Sequence, residues 1–285
     1  MLEVVFLSAL ALIWLLFASV QDLKSRIVAN WLSFSLITFV LGFRFFYSIF
    51  LGQGFSFFYE GIIGLGIFFI LGNVLYHGRF FAGGDAKLFI ALGPVLGFSE
   101  NFFSNIDTFS LFFVLFLFSG AFYGLMWSIF LPLRNFNLFK TEFKSQMNKN
   151  KKIMVSMEIF ALVVLVAGFF NELFFYLGIL LFILPHLYVY TKSIDESVMI
   201  KNVKVENLEE GDLLYKNLKF SNGKIIKKNW KGLNALQIKE IRKKLKHVKI
   251  KEGIPFVPVF LISFILLLIF YFNGIEFGEI LRLFY

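Results

Sequence analysis

Long apolar runs broken by polar connections dominate the chain. A bilayer core takes roughly 17–25 helical residues to cross, and runs of that kind recur at 2–20, 32–50, 61–76, 108–132, 154–170, 173–190 and 255–272. A shorter run, Ala86 to Phe98, predicts a half-span or a helix buried within a bundle. The last segment, Ile275 to Tyr285, is amphipathic and is expected to lie on the membrane. The pattern predicts an all-α polytopic membrane protein, a bundle of about eight transmembrane helices. The first run has no basic stretch before it and no small-residue cleavage site after it, so a retained helix is expected rather than a removed signal.

One sizeable polar stretch interrupts this pattern, at 191–252. Val203, Val205, Leu208, Leu213 and Leu214 flank a Glu-Glu-Gly-Asp turn at 209–212, and a Ser-Asn-Gly turn follows at 221–223. Short apolar segments between such turns predict strands. Gly232 to Val248 carries Leu236, Ile238, Ile241 and Leu245 at helical spacing among Lys and Arg, which predicts a helix. The stretch is expected to be a small α+β insert that leans on the bundle or on lipid, being small for a core of its own. The expected divisions are a membrane domain at 1–190, a basic insert at 191–253, and a final helix and tail at 254–285.

Charge orients this map. Lysine and arginine total 28 against 19 acidic residues, a net charge of +9. Connections 21–31, 77–87, 133–153 and 191–254 together hold 26 of the 28, while 51–60, 99–107 and 171–172 hold none. Basic residues mark cytoplasmic loops. The insert and the first group of connections are therefore expected inside, and the count supports a crossing by 86–98. A charge distributed in this way also argues against nucleic acid as a partner. The exceptions are Arg44, within a predicted span, and Arg282 near the end. Arg44 is expected to snorkel or to form a structural pair. Hydrophobic residues make up 58% of the chain and phenylalanine alone numbers 43, too apolar for a water-soluble surface. With no cysteine and only His77, His186 and His247, neither disulfides nor a metal site is expected.

Two aspartates at predicted helix ends carry candidate chemistry. Asp22 closes the first run in Ala18-Ser19-Val20-Gln21-Asp22-Leu23-Lys24-Ser25-Arg26, and Asp85 lies in Phe81-Ala82-Gly83-Gly84-Asp85-Ala86-Lys87-Leu88. The charge map puts both on one face. Hydrolysis of a peptide by an activated water needs one ionised and one protonated carboxyl, and two carboxylates in close contact share a proton. Gly83 and Gly84 would let a turn approach a substrate backbone. Asp85 would sit at a helix N-terminus, where the dipole favours negative charge. Each aspartate also has an ordinary reading as a solvated cap, and spacing alone leaves a transporter or assembly subunit open.

The string Ala82-Gly83-Gly84-Asp85-Ala86-Lys87-Leu88, followed by Ala91-Leu92-Gly93, resembles the Gly-x-Gly-Asp motif of the type IV prepilin peptidase family. Asp22, Arg26 and Asn30 resemble that family's other aspartate region. Gly232-Leu233 through Gly253-Ile254-Pro255-Phe256-Val257-Pro258 is similar to the C-terminal region of archaeal preflagellin peptidases. The resemblance implies a multi-pass aspartic endopeptidase of the plasma membrane with Asp22 and Asp85 as the catalytic pair, facing the cytoplasm. Gly83, Gly84 and Lys87 would shape the substrate loop. No cofactor or metal is implied. The implied partners are membrane lipid and precursor proteins with a basic leader ahead of a hydrophobic helix. Glu206, Glu209, Glu210 and Asp212 offer an acidic face for that leader. Bacterial relatives often add a cysteine-containing domain and a methyltransferase activity; this cysteine-free chain is expected to have the peptidase alone. Ala82 stands where the motif has its first glycine. An intramembrane protease with the same Gly-x-Gly-Asp pattern is the competing hydrolase.

Overall fold

The computed structural model describes residues 2–51, 54–220, 223–275 and 277–278. Ser221 and Asn222 of the expected turn, and most of the expected amphipathic tail, lie outside them. The chain runs through α1 (Leu2–Ser25), α2 (Asn30–Phe50), α3 (Ser56–His77), α4 (Gly83–Leu96), α5 (Phe102–Arg134), α6 (Phe136–Ala167) and α7 (Glu172–Glu196). Then come β1 (Ile200–Lys204), β2 (Leu213–Leu214), β3 (Leu218–Lys219), β4 (Ile225–Ile226), α8 (Ala235–Lys244), β5 (His247–Lys251) and α9 (Val257–Phe272). The predicted spans each fall on one of α1–α7 and α9. Among the described residues, α1, α2, α3, α5 and α7 are long and apolar enough to cross a bilayer, and α9 is a shorter apolar helix. The protein is a polytopic all-α membrane protein.

It divides into two compact units, 1–124 with 254–285, and 125–253. In the first, α4 is the central element. Leu88, Phe89, Ala91, Leu92, Val95 and Leu96 are all buried, so it is apolar all round, as a fully enclosed helix must be. Its 14 residues span only about 21 Å at 1.5 Å each. α3 lies against it through small residues: a Cβ added at Gly64 would collide with the Gly93 carbonyl, and one at Gly93 with that of Gly64. Backbones approach this closely only where side chains are absent.

A helix that ends inside protein must find donors for its last carbonyls. Arg44 supplies them. It is fully buried; its Nε donates to the Pro94 carbonyl at 2.8 Å and its Nη2 to that of Gly97. Nη1 donates to the Phe57 carbonyl at 2.7 Å, and the guanidinium lies 4.2 Å from the centre of the Phe57 ring. Glu60 is close enough to act on its charge. The Glu60 carboxylate also accepts from Asn105 Nδ2 at 2.9 Å. Arg44 therefore does not snorkel; it bonds backbone carbonyls and fixes the C-terminal end of α4.

In the second unit, α6 and α7 form a closely packed antiparallel hairpin. The span expected at 154–170 begins much earlier, at Phe136, so most of the expected 133–153 connection is helical. A polar sequence without Gly or Pro can continue a helix out of an apolar run, and only Asn135 separates α6 from α5. The polar insert has a small core of its own, including Val205, Leu214, Phe220, Ile241 and Ile250. Its sheet orders as β1-β5-β2, antiparallel, with Ile200 and Leu213 both facing Lys251. The expected helix at 232–248 is shorter. It opens at Asn234, whose side chain accepts from Gln237 N–H at 2.9 Å while Gln237 Oε1 accepts from Asn234 N–H at 3.0 Å. This reciprocal cap sets its start. It stops at Lys244, because His-Val-Lys-Ile-Lys alternates with period two and buries Val248 and Ile250 as strand β5. The Glu-Glu-Gly-Asp turn forms as expected, with Gly211 at φ 100° and the Asp212 carboxylate accepting from Glu209 N–H at 2.9 Å.

Candidate active site

The last turn of α1 carries Asp22 on its buried side. The helix stops three residues later, where Arg26 takes a left-handed conformation (φ 61°) and donates its N–H to the Asp22 carbonyl at 2.8 Å. That is a helix C-cap made with arginine in place of the usual glycine. The chain then turns through Val28 and Ala29 into α2. Gln21 Oε1 holds this turn by accepting from Ala29 N–H at 3.2 Å.

A carboxylate at a helix C-terminus is poorly placed for the dipole. Here a second helix compensates. Asp22 Oδ2 accepts from the Val257 N–H at 2.9 Å, and Val257 is the first residue of α9. Asp22 thus caps the N-terminus of α9, where unpaired amides and the dipole favour negative charge. The Arg26 charge also acts on it.

Asp85 is the third residue of α4 and accepts from Ala82 N–H at 3.2 Å through Oδ2. Phe81, just before this cap, buries its ring among Phe89, Phe116 and Phe260, which anchors the entry into α4. Gly83 and Gly84 were expected to form a tight loop. They instead form the first turn of α4, and neither has positive φ. Their value is in space. A Cβ on Gly84 would stand 3.3 Å from Val28 Cβ, so its absence lets α4 rest against the α1–α2 turn. A Cβ on Gly83 would meet nothing nearer than the Tyr76 ring edge at 3.9 Å. Ala82 is extended (φ −71°, ψ 164°), so alanine at the motif's first position meets no strain.

Lys87 Nζ donates to Asn30 Oδ1 at 2.6 Å, joining the start of α4 to the start of α2. α1 touches α4, and the two aspartates are near enough that the charge of Asp22 acts on Asp85. Asp22, Asp85, Gly84, Lys87 and Asn30 thus meet at one corner of the first unit. The dipole argument that singled out Asp85 applies equally to Asp22, because each carboxylate sits at a helix start. Val257 and Gln21 were not foreseen as site residues. Val257 acts through its backbone amide, which no side-chain motif reveals, although the Gly253–Pro258 string marks the start of its helix.

The acidic group proposed for a leader lies in the second unit. Glu206, Glu209 and Glu210 are exposed there. Burial pushes the Asp212 carboxyl above the usual range, opposed by its hydrogen bond from Glu209 N–H.

Residues 9–129, which hold both aspartates, match the family model described as the type IV leader peptidase family. This bears out the family resemblance read from the sequence. No curated protein and no solved structure matches the chain.

Proposed function

We propose, from the type IV leader peptidase family that residues 9–129 match, that this multi-pass membrane protein is an aspartic endopeptidase. It removes the basic leader of type IV prepilin-like or preflagellin precursors at the cytoplasmic face of the plasma membrane. Asp22 and Asp85 are the catalytic pair. The supporting observation is their meeting, from positions 63 residues apart in sequence, beside two helix N-termini in a mostly apolar bundle.

The chemistry follows from that arrangement. One carboxylate takes a proton from water; the other, protonated, donates to the scissile carbonyl oxygen as the tetrahedral centre forms. The amides of Val257 and Ala82 stabilise the single negative charge the pair carries. The proton returned by the first carboxyl goes to the leaving amine. Gly83 leaves room for an extended substrate backbone beside Asp85.

The test is cleavage of a precursor with a basic leader by membranes holding the parent, Asp22→Asn or Asp85→Asn at equal abundance. Each variant should lose a factor of about 10²–10⁴, the usual contribution of a general acid or base. Equal cutting by all three removes both residues from the mechanism. A product cut inside the hydrophobic helix supports an intramembrane protease instead. Intact precursor with altered proton flux supports a transporter.

A further inference from the structure

The insert is a polar domain, yet it exposes large apolar side chains within one stretch of its sequence. Among its described residues these are Ile225 (46% exposed), Trp230 (38%) and Leu236 (76%). All three fall within twelve consecutive positions. Ile225 and Leu236 line the same open cleft of about 580 Å³, together with Lys224, Lys227 and Lys228. Glu240 binds Lys224 at 2.7 Å, so Lys227 and Lys228 carry the cleft's net positive charge. Lys231 Nζ stands 5.5 Å from the Trp230 ring centre.

Hydrogen bonds tie this region to the end of the sheet that joins α7. Leu233 N–H donates to the Asp212 carbonyl at 2.9 Å, and Leu213, next in sequence, pairs with Lys251. Lys251 in turn bridges Asp195 near the end of α7 at 2.5 Å. The start of α8, from which Leu236 projects, therefore lies toward the helix that enters the bilayer.

We propose that Ile225, Trp230, Leu236 and the surrounding lysines form a docking surface for the anionic headgroups of the bilayer that α7 crosses. Apolar tips amid lysines, with a tryptophan between them, match the layered chemistry of a membrane interface. Charge complementarity selects an anionic leaflet, because each lysine near such a surface favours docking by roughly fivefold. The docked insert would hold its short helix and sheet at a fixed depth.

The chain has no cysteine, so single labels can be placed freely. Leu236→Cys in the full chain, carrying an environment-sensitive fluorophore, is reconstituted in phosphatidylcholine vesicles with or without phosphatidylglycerol. Asn207→Cys, exposed in the turn after β1, is the reference. The label at 236 should shift to the blue and be quenched by headgroup-labelled lipid only with phosphatidylglycerol, while that at 207 stays in water. High salt should reverse the shift. Lys227→Gln with Lys228→Gln, both exposed and harmless to the fold, should weaken docking by roughly 25-fold. A 236 label as accessible to aqueous iodide as the 207 label in anionic vesicles overturns the proposal. So does an equal shift on adding inorganic phosphate to phosphatidylcholine vesicles, which marks a free-phosphate site. A shift with polyglutamate and none with phosphatidylglycerol overturns it in favour of an acidic protein.

Discussion

Arg44 gives the most exposed prediction of the fold, because one side chain closes an entire helix end. Arg44→Met keeps the apolar stem and removes every donor. The carbonyls of Pro94, Gly97 and Phe57 then lose their side-chain partner in an interior without water. A buried polar group left unpaired costs about 1–3 kcal/mol in a soluble protein. Hydrogen bonds inside membrane proteins are worth about 0.6–2 kcal/mol, since the unfolded helix in lipid also finds partners. Three such bonds put the loss at about 2–6 kcal/mol. Glu60 also loses the cation that acts on it, so Arg44→Met with Glu60→Gln should recover part of the loss. Arg44→Lys should fall between, because one ammonium cannot reproduce the guanidinium fork toward three oxygens. The assay is equilibrium unfolding in mixed micelles of mild and denaturing detergent, followed by loss of helical circular dichroism. Leader cleavage is measured beside it, because Asp85 lies about 14 Å along the same helix from Pro94 and moves with α4. If Arg44→Met unfolds at the same detergent fraction as the parent, the cap does not hold α4 and the argument fails.

The glycines of the motif should separate. Gly83→Ala makes only an ordinary contact with the Tyr76 ring and should leave unfolding unchanged while reducing cleavage, whereas Gly84→Val presses on Val28 and should lower stability by about 1–3 kcal/mol; equal unfolding midpoints for the two would refute the packing account. Lys87→Met and Asn30→Ala remove the same hydrogen bond, so each should cost about 0.5–1.5 kcal/mol and the double variant little more, as read by a double-mutant cycle. In the insert, the Tyr215 hydroxyl donates to Glu196 at 2.8 Å, which pushes its ionisation up to about 12. A folded value above the unfolded value near 10 gives stability that is present below pH 10 and lost as pH rises through 12. Ultraviolet titration of the parent should show this late component and Tyr215→Phe should lack it; an unchanged curve removes the bond.

The spans were legible because lipid imposes a long apolar run on each; α2 begins and ends within two residues of its run, while α1, α3 and α7 each extend five or six residues past theirs at one end. The place of Asp85 at a helix start was legible because glycines, acid and apolar run are contiguous. What escaped the sequence depended on contacts between distant segments. Arg44 reads as a costly charge in a span until its carbonyl partners, roughly 50 residues on, are brought to it. Strand β5 was missed because its five residues follow directly on the basic helix α8 and are too few for their period-two alternation to stand out. Only pairing with β1 decides between helix and strand.

Both candidate catalytic carboxylates also serve as structural caps, and this governs what substitution can reveal. Asp22 accepts the first amide of α9 and Asp85 an amide at the start of α4. Each helix start therefore needs an acceptor at that position whether or not catalysis occurs. Asparagine retains a carbonyl acceptor and cannot exchange a proton, while alanine removes both. Replacing a capping side chain by alanine typically costs about 0.5–2 kcal/mol. Alanine variants of Asp22 and Asp85 should therefore be both inactive and less stable, and asparagine variants inactive at near-parental stability. A pair kept only for capping would lose stability with alanine and keep its activity with asparagine. The same geometry explains how a mostly apolar bundle tolerates two carboxyls at one corner: the helix starts that hold them in place also supply the positive potential they require.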